Sequence, residues 1–424
     1  MADKKNIWFL NHYAGNLTLG MEYRHFYLAR HLRKLGHNVS IVSGSFHHLY
    51  TTPPAIAADA DYHLQEFDGV PYCFLRTREY QGNGVQRLLG MLDYMRSVNR
   101  NLDMLEKEFG RPDMVLGSTP HPFVHFSLQK ICKTYGCPVF FEVRDLWPQM
   151  LIELGSLHKY HPLSLFFYWV ERQAHKKSDR TVSLWHSADE YMLTHGLEKE
   201  RYIYLPNGIE LEESENTSYN LDHGVNKSVQ ALKKQGKFVI GYGGSHGHAN
   251  ALDAVIDACK ILQKQGNDRI VFYCVGDGPE RERLIARAKD EGVFESNLYF
   301  HDYVDKDVIL GFYDLLDVAY IGLVDLPLFK YGPTPNKLMD YFSMAKPIIF
   351  AINSRYDPVA EAGAGVSIMP DGAALAEAAV TMEAHTDAER DEMGVSGRRY
   401  AERELSFEAL AKKLEGYIED ACQN

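Results

Sequence analysis

The stretch Tyr331-Gly332-Pro333-Thr334-Pro335-Asn336-Lys337-Leu338-Met339-Asp340-Tyr341 places a cation, an amide and a carboxylate on one face of a predicted helix. Two prolines set an extended approach, Asn336 can cap, and Lys337 falls in the first helical turn. A cation there opposes the helix dipole, so a bound anion that offsets the cost is the chemistry to expect. Asp340, one turn later on the same face, can accept hydrogen bonds from ribose hydroxyls. Taken alone, an ordinary capped helix start with a solvated lysine explains the stretch equally well.

Several loops that follow predicted strands carry further candidates. In Gly241-Tyr242-Gly243-Gly244-Ser245-His246-Gly247-His248, four glycines let backbone amides face an oxyanion, and Gly243, Gly244 and His246 are the expected contacts. It is not a dinucleotide fingerprint, since the third glycine would fall on His246, and no Walker lysine follows. Gly276-Asp277-Gly278-Pro279-Glu280 reads by itself as a turn into a helix. Earlier, the loop from Asn11 through Gly15 and Asn16 to Gly20 permits close backbone approach, and the helix after it offers unpaired amides to an anion. Ser118-Thr119-Pro120-His121-Pro122 puts His121 just past a strand, where a lone histidine is more often a packing residue. Glu142-Val143-Arg144-Asp145-Leu146-Trp147-Pro148 packs opposite charges and an indole; Arg144 and Asp145 suit a sugar-binding wall or a structural ion pair.

The elements that must hold these loops alternate from the start. A strand at Ile7–Leu10, a helix through Met21–Leu35 and a strand at Val39–Ser43 make a βαβ opening. Further strands are expected at Pro71–Leu75, Met114–Gly117, Val139–Val143, Arg180–Leu184 and Tyr202–Leu205, with helices at Leu88–Lys107 and Pro122–Tyr135. The second half repeats the pattern: strands at Phe238–Gly241, Ile270–Val275, Leu298–Phe300, Val318–Ile321 and Ile348–Ala351, and helices at Leu252–Gln265 and Arg281–Glu291. Such alternation predicts two doubly wound α/β, Rossmann-like domains with parallel sheets. At 424 residues two large domains are expected. The polar run 212–236, with Asn216, Ser218, Asn220 and Asn226, reads as the linker between domains 1–211 and 237–404. Phe407, Leu410, Leu414 and Ile418 recur at helical spacing in a final amphipathic segment, residues 405–424.

Composition excludes several classes. Fifty-seven acidic against 45 basic residues, a net charge of -12, argue against a nucleic-acid binder. Six scattered cysteines lack metal-ligand spacing and read as reduced thiols of a cytoplasmic protein, and no metal site is expected. The first residues do not form an export signal, and the apolar run Leu163–Val170 is too short to span a bilayer. The stretch from His158 to Lys177 is nonetheless a face that can meet a membrane, although a packed helix with a solvated end explains it more simply.

In this order, the motifs resemble those of glycosyltransferase family 4, retaining enzymes of the GT-B fold that build bacterial polysaccharides and glycoconjugates. The resemblance rests on the first glycine loop with Glu22-Tyr23-Arg24, the Glu142–Pro148 run and Leu205-Pro206-Asn207-Gly208-Ile209. In the second half it rests on the Gly241–Gly247 loop, Val275-Gly276-Asp277-Gly278-Pro279-Glu280, Pro335–Tyr341, Ala345-Lys346-Pro347 and Gly363-Ala364-Gly365. It implies that the C-terminal domain holds a nucleotide-sugar, with the base near Asp302-Tyr303 and the ribose on Asp340, and that the N-terminal domain holds the acceptor. It implies further that His121 meets the donor sugar in a cleft and that the final helix crosses back onto the first domain. Two departures stand out. The family's first acid would fall on Gly332, and the usual Arg and Lys pair after Gly247 is missing, which leaves Lys337, His246 and amides to meet the diphosphate. The chain resembles the subgroup with a Pro-Ser-Lys-type motif, such as N-acetylfucosamine transferases of capsule and O-antigen assembly.

The expected function is therefore metal-independent, cofactor-free, retaining transfer from a UDP-linked sugar, such as an N-acetylated hexosamine. The expected acceptor is a saccharide or lipid-linked saccharide, reached from the cytoplasm or the inner face of a membrane. A nucleotide-sugar 2-epimerase of the same fold and a non-catalytic sugar-binding protein are the competing readings.

Overall fold

Short apolar strands separated by helices can bury both sheet faces only by winding helices over each side. The computed structural model describes residues 3–20, 22–82, 84–119, 121–211 and 219–423. It divides into one unit of Met1–Gly208 with Phe407–Asn424 and a second of Ile209–Ser406.

Unit 1 carries eight strands: β1 (Asn6–Leu10), β2 (Asn38–Gly44), β3 (Tyr62–Phe67), β4 (Val70–Leu75), β5 (Met114–Thr119), β6 (Val139–Val143), β7 (Arg180–Ser183) and β8 (Tyr202–Tyr204). Their order is β3-β4-β2-β1-β5-β6-β7-β8, parallel except for the antiparallel β3–β4 pair. The edge strand β3 is half exposed and polar, so no apolar run announces it in the sequence. The helix Phe407–Gln423 buries Phe407, Leu410, Leu414 and Ile418 in this unit's core, and Phe407 stacks on Tyr27 of the helix Arg24–Lys34 at 4.9 Å. Each fully buried aliphatic side chain of this kind contributes roughly 1.5–3 kcal/mol of transfer free energy.

Unit 2 carries β9 (Phe238–Gly243), β10 (Ile270–Val275), β11 (Leu298–His301), β12 (Val318–Gly322), β13 (Ile348–Ala351) and β14 (Gly365–Ser367). Their order is β11-β10-β9-β12-β13-β14 with every neighbouring pair parallel, the dinucleotide-fold order. The winding reverses between β9 and β12 in unit 2 and between β1 and β5 in unit 1. At such switch points the flanking loops part, which opens a crevice at the carboxyl ends of the strands.

Two expectations are corrected. Residues 224–234 are not linker: Gly224–Lys234 is a helix of unit 2 that buries Val225, Val229 and Leu232. Its capping residue His223 accepts a hydrogen bond from the Val225 amide at 3.3 Å, and the Asn226 amide group donates to the Val308 carbonyl at 3.1 Å. Residues 212–218 of the expected linker, with Asn216 and Ser218, lie outside the described residues, as do Met21 and Pro120. The single helix expected over Leu88–Lys107 is two, Val85–Arg100 and Leu102–Phe109, divided where Asn101 leaves helical geometry.

Candidate active site

At the unit 2 switch point the Gly243–Gly247 loop leaves β9, and the loop Gly276–Glu280 leaves β10. The two are laced together: the Gly244 amide donates to the Val275 carbonyl at 2.9 Å, the His246 amide to Asp277 at 2.8 Å, and the Glu280 amide to His246 at 3.0 Å. Gly276, at φ +143°, is required by this approach, because a Cβ there would collide with the Gly244 carbonyl oxygen. The Gly243 amide also donates to the Tyr341 hydroxyl, at 3.3 Å. The expectation that Gly243 and Gly244 offer their amides to an anion is therefore corrected, since both are spent within the protein. Among the described residues, the loop amides left without a protein acceptor are those of Ser245 and Gly247.

Lys337 reaches over this loop. Its Nζ donates to the Tyr242 hydroxyl at 2.8 Å and to Asn250 Oδ1 at 2.9 Å, and it lies 4.3 Å from the centre of the Tyr242 ring. Tyr242 and Asn250 in turn both donate to the Ser245 carbonyl, at 2.7 and 3.0 Å. Among the described residues the ammonium thus has neutral hydrogen-bond partners and no carboxylate, and burial brings its pKa down to about 7. A side chain at Gly244 would begin 3.3 Å from Nζ, so the charge stands directly against the loop. Tyr242 and Asn250, which fix the lysine, carry no recognisable signal in the sequence.

The helix Asn336–Ser343 carries Lys337 and Asp340 one turn apart. Pro335, not Asn336, is the N-cap, and no side chain caps this end; Asn336 is the first helical residue and is exposed. Leu338 does not face a ligand: its side chain is fully buried and its amide donates to the Pro335 carbonyl at 3.0 Å. Burial raises the Asp340 carboxyl to about 6. Gly332 closes the preceding 3-10 turn Pro327–Tyr331 with φ +80° and ψ 59°, a left-handed conformation that accounts for glycine where the resembled family has an acid. The Thr334 hydroxyl is buried without a protein partner among the described residues.

His246 is fully buried, and neither ring nitrogen has a protein partner among the described residues. Burial, reinforced by the nearby Arg281 and Lys337, holds its pKa down at about 4, so the ring is neutral at pH 7. Asp302 and Tyr303 directly follow β11 and are exposed, beside Gly276, whose amide donates to the His301 carbonyl at 3.0 Å. Arg281 reaches from the second loop to Asp302 Oδ1 at 2.5 Å. The structure thus groups Gly243, Gly244, His246, Asp302, Tyr303, Lys337 and Asp340 around the carboxyl ends of β9–β12.

In unit 1 the switch point holds a pair of histidines. His12, just after β1, places Nδ1 3.2 Å from Nε2 of His121, which follows β5. His12 stacks on Tyr94 at 4.7 Å, and both imidazoles are fully buried. Burial lowers His121 to about 3 and His12 well below its ordinary value, so both are neutral. His12 was not foreseen as a site residue; its place after the first strand was the available signal.

In the first loop the glycine amides are spent within the protein. The Gly15 amide donates to Glu22, the Gly20 amide to Asn16, and the Asn16 side-chain oxygen accepts from the Thr18 and Leu19 amides at 2.9 and 3.0 Å. Gly15, Asn16 and Gly20 are buried, and the turn they form is held by its own hydrogen bonds. Arg144 is ion-paired with Glu22, while Asp145 is exposed. Glu142 is structural: its carboxylate meets Arg24 Nε at 2.9 Å and His25 Nε2 at 2.9 Å, and Arg24 also donates to the Leu205 and Pro206 carbonyls. Burial alone would raise the Glu142 pKa, but the Arg24 guanidinium and His25 hold it well below the usual range.

Residues 20–208 match the family model described as Glycosyl transferase 4-like domain, and residues 237–385 match Glycosyl transferases group 1. The chain is a glycosyltransferase of the GT-B fold. It is similar to solved structures of sucrose-phosphate synthase from Thermosynechococcus elongatus, at 13% identity and a TM-score of 0.70 over 98% of this chain and 99% of that one. It is similar also to Anabaena Alr3699/HepE in complex with UDP and glucose, at 13% and 0.65 over 98% and 100%. A third is an α,α-trehalose-phosphate synthase (UDP-forming) from Burkholderia vietnamiensis, at 14% and 0.69 over 98% and 99%. At these identities the likeness is one of fold. No curated protein is a significant match for the chain.

Proposed function

We propose that the chain moves a sugar from a UDP-linked donor, such as a UDP-N-acetylhexosamine, to a saccharide or lipid-linked saccharide, with retention of configuration and without a divalent metal. The observation that carries this reading is the Lys337 ammonium, held over the glycine loop by neutral partners, with the Asp340 carboxylate one turn away. An uncompensated cation at a switch point suits a diphosphate, and the carboxylate suits the ribose hydroxyls. The base then lies along Asp302-Tyr303. Supporting the nucleotide is the likeness to Anabaena HepE, solved with UDP and glucose, and to a UDP-forming synthase.

Unit 1 is assigned the acceptor and His121 the donor sugar. In the proposed step the bond between the anomeric carbon and the diphosphate oxygen breaks while the acceptor hydroxyl bonds the same carbon on the same face. The acceptor proton passes to the departing phosphate oxygen, and Lys337 balances the charge that develops there. Assembly of a capsule-type or O-antigen-type glycan at the inner face of a membrane is the setting proposed. No helix among the described residues is long and apolar enough to cross one. The helix Pro162–Lys177 exposes Leu165, Phe166 and Trp169 next to Lys176 and Lys177, a surface suited to anionic lipid and testable by flotation with anionic vesicles.

The decisive test incubates the purified protein with UDP-, GDP- and dTDP-sugars and candidate acceptors in EDTA, following nucleotide release and the product anomer by NMR. UDP release with a retained anomer, lost in Lys337→Ala, is the expected result. Inversion, dependence on metal, or an epimerised donor with no UDP would overturn it.

A further inference from the structure

The chain lacks the paired cations that its relatives by resemblance place after the glycine loop, yet a second guanidinium arrives there from elsewhere. Arg281 is the first residue of the helix Arg281–Asp290, immediately after the Gly276–Glu280 loop, which is laced to His246 through two backbone hydrogen bonds. Its side chain is only 17% exposed. Its Nε is buried with no protein acceptor among the described residues. Its two acidic contacts, Asp302 at 2.5 Å and Glu282 at 3.3 Å, are 80% and 91% exposed. Ion pairs with such solvated carboxylates are worth little, roughly 0–1 kcal/mol, so they are readily exchanged.

The His246 ring, on the loop that Lys337 overlies and that is laced to the loop leading into Arg281, is fully buried, with both nitrogens unpartnered among the described residues. Both cations, after burial itself, depress its basicity. Among the described residues Lys337 has no carboxylate partner to offset it. Two cations and two unpartnered imidazole nitrogens around one loop form a site that is electrostatically incomplete without an anion.

We propose that Arg281 is the second cation of the donor site, exchanging its exposed Asp302 partner for the phosphate oxygens of a nucleoside diphosphate. This rests on the reading of unit 2 as the donor domain. A guanidinium can engage two phosphate oxygens at once, which a lone lysine cannot, and Arg281 complements Lys337 from the β10 side of the loop. Asp302 keeps the guanidinium in place until the donor arrives.

Calorimetry with UDP and with uridine, on the wild type, Arg281→Gln and Arg281→Lys, tests it. Charge-assisted hydrogen bonds of this kind correspond to about 10- to 100-fold in affinity, so R281Q is expected to weaken UDP by that factor and leave uridine within about twofold. R281K should recover part of the loss. Equal losses for UDP and uridine in R281Q would mean that Arg281 merely shapes the loop, and would overturn the proposal. Unchanged UDP binding in R281Q would do the same. A wild type that ignores UDP overturns the donor reading itself, whereas a wild type that binds UDP beside an indifferent R281Q overturns this inference alone.

Discussion

Lys337 and Tyr242 form one unit: the ammonium donates to the phenol oxygen at 2.8 Å and lies 4.3 Å from the centre of the same ring. A cation held by an aromatic ring and a hydroxyl is fixed in position but not neutralised, which suits a group that must meet the charge of a ligand. Burial leaves that cation only partly protonated at neutral pH, with a pKa of about 7.

The pH dependence of donor binding follows. A bound diphosphate favours the charged amine, so the pKa of Lys337 is higher in the complex than in the free protein. The gain is complete below the free value of about 7 and is lost as pH rises through it, by up to about tenfold in affinity per pH unit. Calorimetry with UDP from pH 6 to 9 should show this decline in the wild type and none in Lys337→Met. A flat wild-type profile would remove Lys337 from the site.

Asn250→Asp converts a neutral partner, 2.9 Å from the same nitrogen, into a carboxylate. The new charge should raise the pKa of Lys337 by a unit or more and move the binding limb to higher pH. At pH 6, where the wild-type lysine is already charged, UDP should bind more weakly because the cation is now neutralised. Stronger binding at pH 6 would contradict this account.

Restoring the family-type acid with Gly332→Glu should not improve the enzyme. At φ +80° and ψ 59° a side chain costs roughly 1–2 kcal/mol, read as a lower urea midpoint, and UDP affinity should not rise. Tighter UDP binding in this variant would show that the position is a vacant ligand site rather than a backbone turn.

Glu142→Ala should destabilise unit 1 by roughly 3–5 kcal/mol in urea unfolding, because it leaves the buried Arg24 without its counter-charge. Arg24 ties the helix Arg24–Lys34 to the Leu205 and Pro206 carbonyls beyond β8, so the loss should also loosen that end of the sheet. A change below about 1 kcal/mol would mean that the guanidinium finds water or another acceptor.

Periodicity made the strands legible, since a buried parallel strand is apolar along its whole length, and β6 and β10 match their expected bounds to the residue. It failed for β3, whose exposed edge position needs no apolar run, and for Gly224–Lys234, whose three buried apolar side chains sit among polar ones. The Pro335–Tyr341 motif and the glycine loops were visible because local backbone geometry demands those residue types. Their partners were not, because a hydrogen bond across a sheet leaves no trace in local spacing.

What the sequence alone determined was therefore the class of unit and the loops where chemistry can occur: alternating apolar strands and amphipathic helices leave few packings other than two doubly wound sheets. The tertiary structure decided which loops meet. Strand order, not sequence distance, brings Lys337 to Tyr242 across 95 residues and His12 to His121 across 109. It decided also that the Gly243 and Gly244 amides are spent within the protein and that Lys337 is held over the loop by neutral partners. A backbone group's partners depend on the strand that folds beside it, and that neighbour is chosen by the packing of the whole sheet.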